Sequence, residues 1–127
     1  MSIEENKRIV RRYQDIYNSN NLDALREVMA DDVVMPRAMP GMPTRLEGAR
    51  RVHETTLAGM PDWYTKIEGL IAEGDQVAAR ITMTGTHTGE FWGFPPTGKK
   101  VQFTGIYIVR LANGKSWNIE AKRTPSA

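Results

Sequence analysis

The chain has 127 residues, 40% hydrophobic and 25% charged, with 17 Lys and Arg against 15 Asp and Glu for a net charge of +2. That length holds one domain with one core, the composition argues against a disordered, collagen-like or coiled-coil chain, and so small a charge calls for no nucleic acid. Cysteine is absent, which removes disulfides, zinc ribbons, iron–sulfur ligation and thiol nucleophiles.

No apolar run approaches membrane-spanning length, and Met1-Ser2-Ile3-Glu4-Glu5 lacks the basic-then-apolar layout of a signal peptide. The expectation is a cytoplasmic protein with no membrane partner. Ile9, Tyr13, Ile16 and Tyr17 fall at i, i+4, i+7 and i+8, which predicts an amphipathic helix over 3–18. Lys7, Arg8, Arg11 and Arg12 lie elsewhere on it, interleaved with Glu4, Glu5 and Asp15, and so read as a solvated face rather than a binding stripe. Asn18-Ser19-Asn20-Asn21 breaks the pattern, and Leu22, Leu25, Val28 and Met29 define a second, shorter helix. A brief strand is expected over 31–35, then a loop, because Pro36, Pro40, Gly41 and Pro43 deny that stretch any regular element. Leu46, Ala49, Val52, Thr56 and Leu57 predict a third helix, stopped by Gly59 and Pro61.

Beyond Pro61 the period changes to two. The alternating run from Trp63 turns at Gly74-Asp75 into Val77, Ala79, Ile81 and Met83, which reads as a hairpin. Two further runs, 101–111 and 116–121, meet at Asn113-Gly114, a strong hairpin signal because both positions favour positive φ. Three helices followed by a strand meander imply a single α+β domain over 1–127, with the helices against one face of a curved antiparallel sheet.

Gly93-Phe94-Pro95-Pro96-Thr97-Gly98-Lys99-Lys100 nearly spells a phosphate loop. Its last position is Lys rather than Ser or Thr, two prolines remove amide donors, and a strand follows where a helix N-terminus is needed. It is read as a chance spacing. His53 and His87 are the only histidines, and no third ligand stands at metal-binding spacing, so no metal is expected. His53 reads as a helix-surface residue. His87, at a strand end before an aromatic loop, is either a rim residue or a pocket residue able to relay a proton. Glu90-Phe91-Trp92-Gly93-Phe94-Pro95-Pro96 places three rings where a loop is normally polar, so the rings are core or the lip of an apolar cavity. Tyr13, Tyr17, Trp63, Met83 and Tyr107 are candidates to extend that wall.

The run Gly85 to Lys99, with Phe103-Thr104-Gly105-Ile106 and Arg110 to Lys115, resembles the SnoaL-like polyketide cyclases, or ester cyclases. Asn6 to Arg12 and Asn21 to Leu25 look like the same family, so the resemblance covers nearly the whole chain through Lys115. It implies a nuclear transport factor 2-like cone, similar in fold to ketosteroid isomerase: a bent sheet around a hydrophobic cavity, closed by three N-terminal helices and assembled as a homo-oligomer such as a dimer. It further implies cofactor-free aldol ring closure, with an Asp on the last strand and a His on the preceding strand.

Carried over by position, the His falls on Tyr107. The carboxylate falls on Asn118 if the Trp117-Asn118 pair is matched, or on Ala121 if the last strand is read without a gap. Neither register supplies a carboxylate, and Glu120 is the nearest substitute. On this resemblance a hydrophobic carbonyl-bearing small molecule occupies the cone. His87 or Glu120 moves a proton, Tyr107 and Asn118 hold the oxygen, and Tyr13, Tyr17, Trp63, Met83, Trp92 and Phe94 line the wall. The alternative is a non-catalytic binding or self-association domain, which the missing acid favours. Epoxide hydrolysis, known elsewhere in the superfamily, needs an inward Asp-Arg-Asp set that Asp75, in a turn, and Arg80 do not suggest.

Overall fold

The computed structural model describes residues 2–34, 45–91 and 93–125, with side chains described through Glu120. The first helix, α1 (Ile3–Asn18), starts where Ser2 accepts a hydrogen bond from the Glu5 amide at 3.1 Å, with Glu4 and Glu5 against the positive end of the helix dipole. Its row Asn6, Val10 and Gln14 is buried together with Ile16, so two polar side chains share the face that meets the sheet. The expected second α-helix is a 3-10 helix, Leu22–Glu27. It is one short segment, closed by i→i+3 bonds such as Val28 N–H to the Leu25 carbonyl at 3.0 Å, too short to propagate an α-helix. The second α-helix, α2 (Arg45–Gly59), follows the first strand. The proline-rich loop expected between them lies outside the described residues.

Five strands form one sheet in the order β1-β5-β4-β3-β2, where β1 is Met29–Val34, β2 Tyr64–Glu73, β3 Gln76–Thr86, β4 Lys100–Ala112 and β5 Lys115–Pro125. The β2–β3, β3–β4 and β4–β5 pairings are antiparallel. β1 adds to β5 in parallel, a pairing that hairpin signals do not announce. The Val28 carbonyl accepts both the Ser116 amide at 2.8 Å and the Ser116 hydroxyl at 3.2 Å, which fixes that edge. The predicted turns are present: Gly74 (φ 58) between β2 and β3, and Asn113 (φ 54) with Gly114 (φ 79) between β4 and β5. The strand β4 begins at Lys100, where a phosphate loop would need a helix.

One sheet face carries Val77, Ala79, Ile81 and Met83 from β3, Tyr107, Val109 and Leu111 from β4, and Ile119 from β5. Val10, Met29, Val33 and Ala49 pack onto it from the helices and β1. A second cluster, Ile16, Ala24, Leu25 and Val28, seats the 3-10 helix against α1, and Leu46 touches both clusters. The edge strand β2 is blunted by Asn18, whose side chain donates to the Thr65 carbonyl (2.8 Å) and accepts from the Thr65 amide (3.0 Å). Among the described residues no helix is long and apolar enough to cross a membrane.

Candidate active site

The interior of the fold holds a cluster of aromatic rings with polar tips. The helix period brings Tyr13 and Tyr17 one above the other on α1, their ring centroids 4.8 Å apart edge to face. Tyr107, on the inner face of β4, lies 5.8 Å from Tyr13. Its hydroxyl donates to Gln14 Oε1 at 3.3 Å, a long and therefore readily exchanged bond. His53 comes down from α2 to lie 4.7 Å from the Tyr17 ring, its Nε2–H donating to Asn20 Oδ1 at 3.3 Å.

Burial sets the protonation of this group. Loss of water pushes the Tyr13 phenol up to about 12, the neighbouring Tyr17 hydroxyl partly opposing the rise. Burial raises Tyr17 well above its ordinary value, and nearby Tyr13 and Tyr107 add to the effect. Tyr107 is raised by burial first and by Tyr13 second. Desolvation lowers His53, against smaller opposing effects of the Tyr17 backbone and Glu54. All four groups are thus uncharged near neutrality. Three neutral hydroxyls can donate to a developing oxyanion, but none can remove a proton from carbon unaided.

Tyr13, Tyr17 and Tyr107 meet directly, and Met83 and Trp63 belong to the same core, with Trp63 6.5 Å from Phe103. Trp92 lies outside the described residues. Phe94 is 67% exposed, its backbone exchanging two hydrogen bonds with that of Phe91; it does not join this wall. Backbone pairing continues past β3, with His87 N–H to the Lys99 carbonyl at 2.9 Å and Gly98 N–H to the His87 carbonyl at 2.8 Å. Strand alternation then puts His87 on the side of Met83 and Gly85. Its Nδ1 is hydrogen-bonded to the Thr97 hydroxyl at 3.2 Å, while Nε2 is buried with no hydrogen-bond partner.

Asn118 and Glu120 are not brought to Tyr107. Asn118 pairs with Arg110 and Glu120 with Ile108, so both share the sheet face opposite to that of Tyr107. A bulge at Trp117, between the Leu111–Ser116 and Arg110–Asn118 pairs, fixes this parity. The residue across from Tyr107 is Ala121, as in the ungapped register. Nor is His53 a surface residue: it is 7% exposed. The signal was its spacing, four residues after Ala49 and four before Leu57, on the helix's apolar face. Gln14 and Asn20 carried no such signal, since an amide in an amphipathic helix or a turn reads as solvent-facing.

Among the described residues no group of three or more His, Cys, Asp or Glu side chains is placed to hold a metal ion. A separate surface cleft of about 380 Å³ opens between the 3-10 helix and α2, where Arg50 and Asp23 pair at 2.7 Å.

Known proteins resemble this chain in sequence and in fold. The chain is 27% identical over 111 residues to the aklanonic acid methyl ester cyclase DauD of Streptomyces sp. (strain C5), covering 84% of this chain and 68% of that protein. It is 26% identical over 111 residues to the aklanonic acid methyl ester cyclase DnrD of Streptomyces peucetius, covering 84% and 76%. Among solved structures, IdmH from Streptomyces antibioticus superposes with a TM-score of 0.81 at 30% identity over 93% of this chain and 91% of that one. A SnoaL-like polyketide cyclase from Agrobacterium tumefaciens str. c58 shares the fold, with a TM-score of 0.80 at 24% identity over 98% and 93%. The sequence profile of the SnoaL-like polyketide cyclases matches residues 7–119, and the chain belongs to that family.

Proposed function

We propose that this protein binds a hydrophobic, carbonyl-bearing polyketide ester in its interior and closes a ring by cofactor-free aldol chemistry. The observation that carries this reading is the cluster of neutral phenols in which Tyr107 is buried and Tyr13 and Tyr17, in ring contact, are partly buried. In such a reaction a carbon acid gives up a proton, the enolate carbon attacks a ketone carbon, and the ketone oxygen becomes an alkoxide that is then protonated. Buried hydroxyl donors favour that oxygen because they are already desolvated and oriented. Tyr107 is the donor, exchanging Gln14 for the ligand oxygen. His87 does not serve the same centre: Ala79 pairs with Tyr107, and His87 follows eight residues further along the chain, on the order of 26 Å at about 3.3 Å per residue, so the proton acceptor is not assigned to it.

Incubation with aklanonic acid methyl ester, the compound named for two relatives, tests this by chromatographic detection of an isomeric cyclised product. Tyr107→Phe is expected to lower turnover by roughly 10²-fold, the cost of one oxyanion donor, with an unchanged circular dichroism spectrum. Equal turnover in wild type and Tyr107→Phe would remove that residue from the chemistry. A second reading, ligand sequestration without turnover, is favoured by the alanine across from Tyr107. It predicts saturable binding of the same ester with no product.

A further inference from the structure

The end of α1 is built around an asparagine where glycine is usual. Asn21 N–H donates to the Ile16 carbonyl and Asn20 N–H to the Tyr17 carbonyl, both at 3.2 Å, the paired bonds of a Schellman cap. Such a cap needs one residue in the left-handed region, and Asn20 takes that place at φ 60. Glycine meets the demand freely, asparagine at some cost. What asparagine adds is a side chain, and its Oδ1 accepts from His53 Nε2 at 3.3 Å. The corner is already held without that bond: Asn18 locks to the Thr65 backbone in both directions, and Ser19 N–H donates to the Asp15 carbonyl at 2.9 Å.

We infer that Asn20 and His53 are positioning residues, a pair that clamps the Tyr17 ring so that its hydroxyl stands oriented toward the oxygen of a bound ligand. Tyr17 makes two edge-to-face ring contacts, with Tyr13 at 4.8 Å and 67° and with His53 at 4.7 Å and 72°, the arrangement that ring quadrupoles favour. Tyr13 shares α1 with Tyr17 and moves with it. His53 stands on α2, so its ring is the contact that fixes Tyr17 against a different element. Asn20 in turn holds the imidazole, which otherwise turns about its own side-chain bonds. Neither residue meets the ligand; both act through Tyr17, whose hydroxyl is hydrogen-bonded to that of Tyr13.

A hydroxyl donor stabilises a developing oxyanion most when it needs no reorganisation at the moment of reaction. Loosening its ring therefore costs rate more than ground-state binding. The signature of the clamp is a fall in kcat with KM held, together with a freer Tyr17 ring. A purely structural tie would instead lower the melting temperature and leave both untouched. This inference rests on the ring closure proposed above, so the motion of the Tyr17 ring, which needs no substrate, is measured beside turnover.

Two measurements test it: the flip rate of the Tyr17 ring from aromatic NMR line shapes, and steady-state turnover of aklanonic acid methyl ester. Asn20→Gly separates the two roles, because it suits the cap while deleting the clamp. It is expected to melt within about 4 °C of wild type, the relief at the cap offsetting the lost hydrogen bond. Its Tyr17 ring is expected to flip about tenfold faster, and its kcat to fall about tenfold with KM within about twofold. His53→Ala is expected to change the ring and kcat in the same way. Asn20→Asp, which keeps an acceptor at an exposed position, is expected to hold ring rate and kcat within about twofold of wild type. An unchanged ring rate in Asn20→Gly would overturn the inference, as would a freed ring with undiminished kcat, or an Asn20→Asp variant as impaired as Asn20→Gly. Wild type that yields no product would instead sink the proposed ring closure, and the clamp is then decided by the ring rates of the variants.

Discussion

A phenol taken out of water holds its proton because the phenolate has lost the solvent that would stabilise it. Tyr13, Tyr17 and Tyr107 all lie in that condition, and the consequence reaches stability as well as chemistry. Their native values are raised above the 10.0 of an exposed tyrosine, so an unfolded chain releases protons first as the solution becomes alkaline. The stabilisation is therefore complete below pH 10.0 and is lost as pH rises through the native values, about 12 for Tyr13. Urea denaturation at a series of pH values from 9 to 12 is expected to show a falling midpoint in wild type and a shallower fall in Tyr13→Phe. Parallel curves would mean that Tyr13 titrates as if exposed.

Two elements are joined at the site by groups whose environment can be tested. His53 ties α2 to the end of α1 through Asn20, and burial holds its value below 6.5. The sign is the reverse of the tyrosines: the unfolded chain takes up the proton first, so the stability that His53 lends is complete above pH 6.5 and declines as pH falls below it. Thermal denaturation is expected to show a midpoint dropping between pH 6.5 and 5, with His53→Asn flattening that drop; an equal slope in the variant would contradict the assignment.

The aromatic loop is seated on the end of α2 in a different way, by close approach. The Thr88 and Gly89 amides both donate to the Gly59 carbonyl, at 3.1 and 3.0 Å. A methyl on Gly89 would strike the Ala58 carbonyl, and one on Gly59 would come within 2.6 Å of the Phe91 side chain. Gly89→Ala is expected to destabilise by about 2 kcal/mol, measured by urea denaturation. A loss under about 0.5 kcal/mol, the level of a neutral surface change, would show that the loop moves aside freely.

At the scale of the whole molecule, the two faces of one sheet divide the work. The inner face carries Tyr107 into the core, and the outer face carries Glu120, Arg110 and the exposed isoleucines. Glu120→Gln is accordingly expected to leave ester binding and turnover within about twofold of wild type, as an exposed change distant from the site should. A loss of activity comparable to that of Tyr107→Phe would mean that the last strand pairs in the other register.

Residue order alone was enough for the helices at 3–18 and 45–59, the strand hairpins and their turns, because periodicity and turn chemistry are local properties. The family was legible too, in the glycine and proline pattern of the loop before β4. What local rules do not carry is parity across a bulge. One extra residue at Trp117 sends Asn118 and Glu120 to the far face, and only the paired register with β4 shows it. The parallel seat of β1 beside β5, the burial of His53 and the meeting of three phenols are likewise long-range. Each depends on segments tens of residues apart being packed together, and that is settled by the summed burial of a core rather than by any stretch of chain on its own.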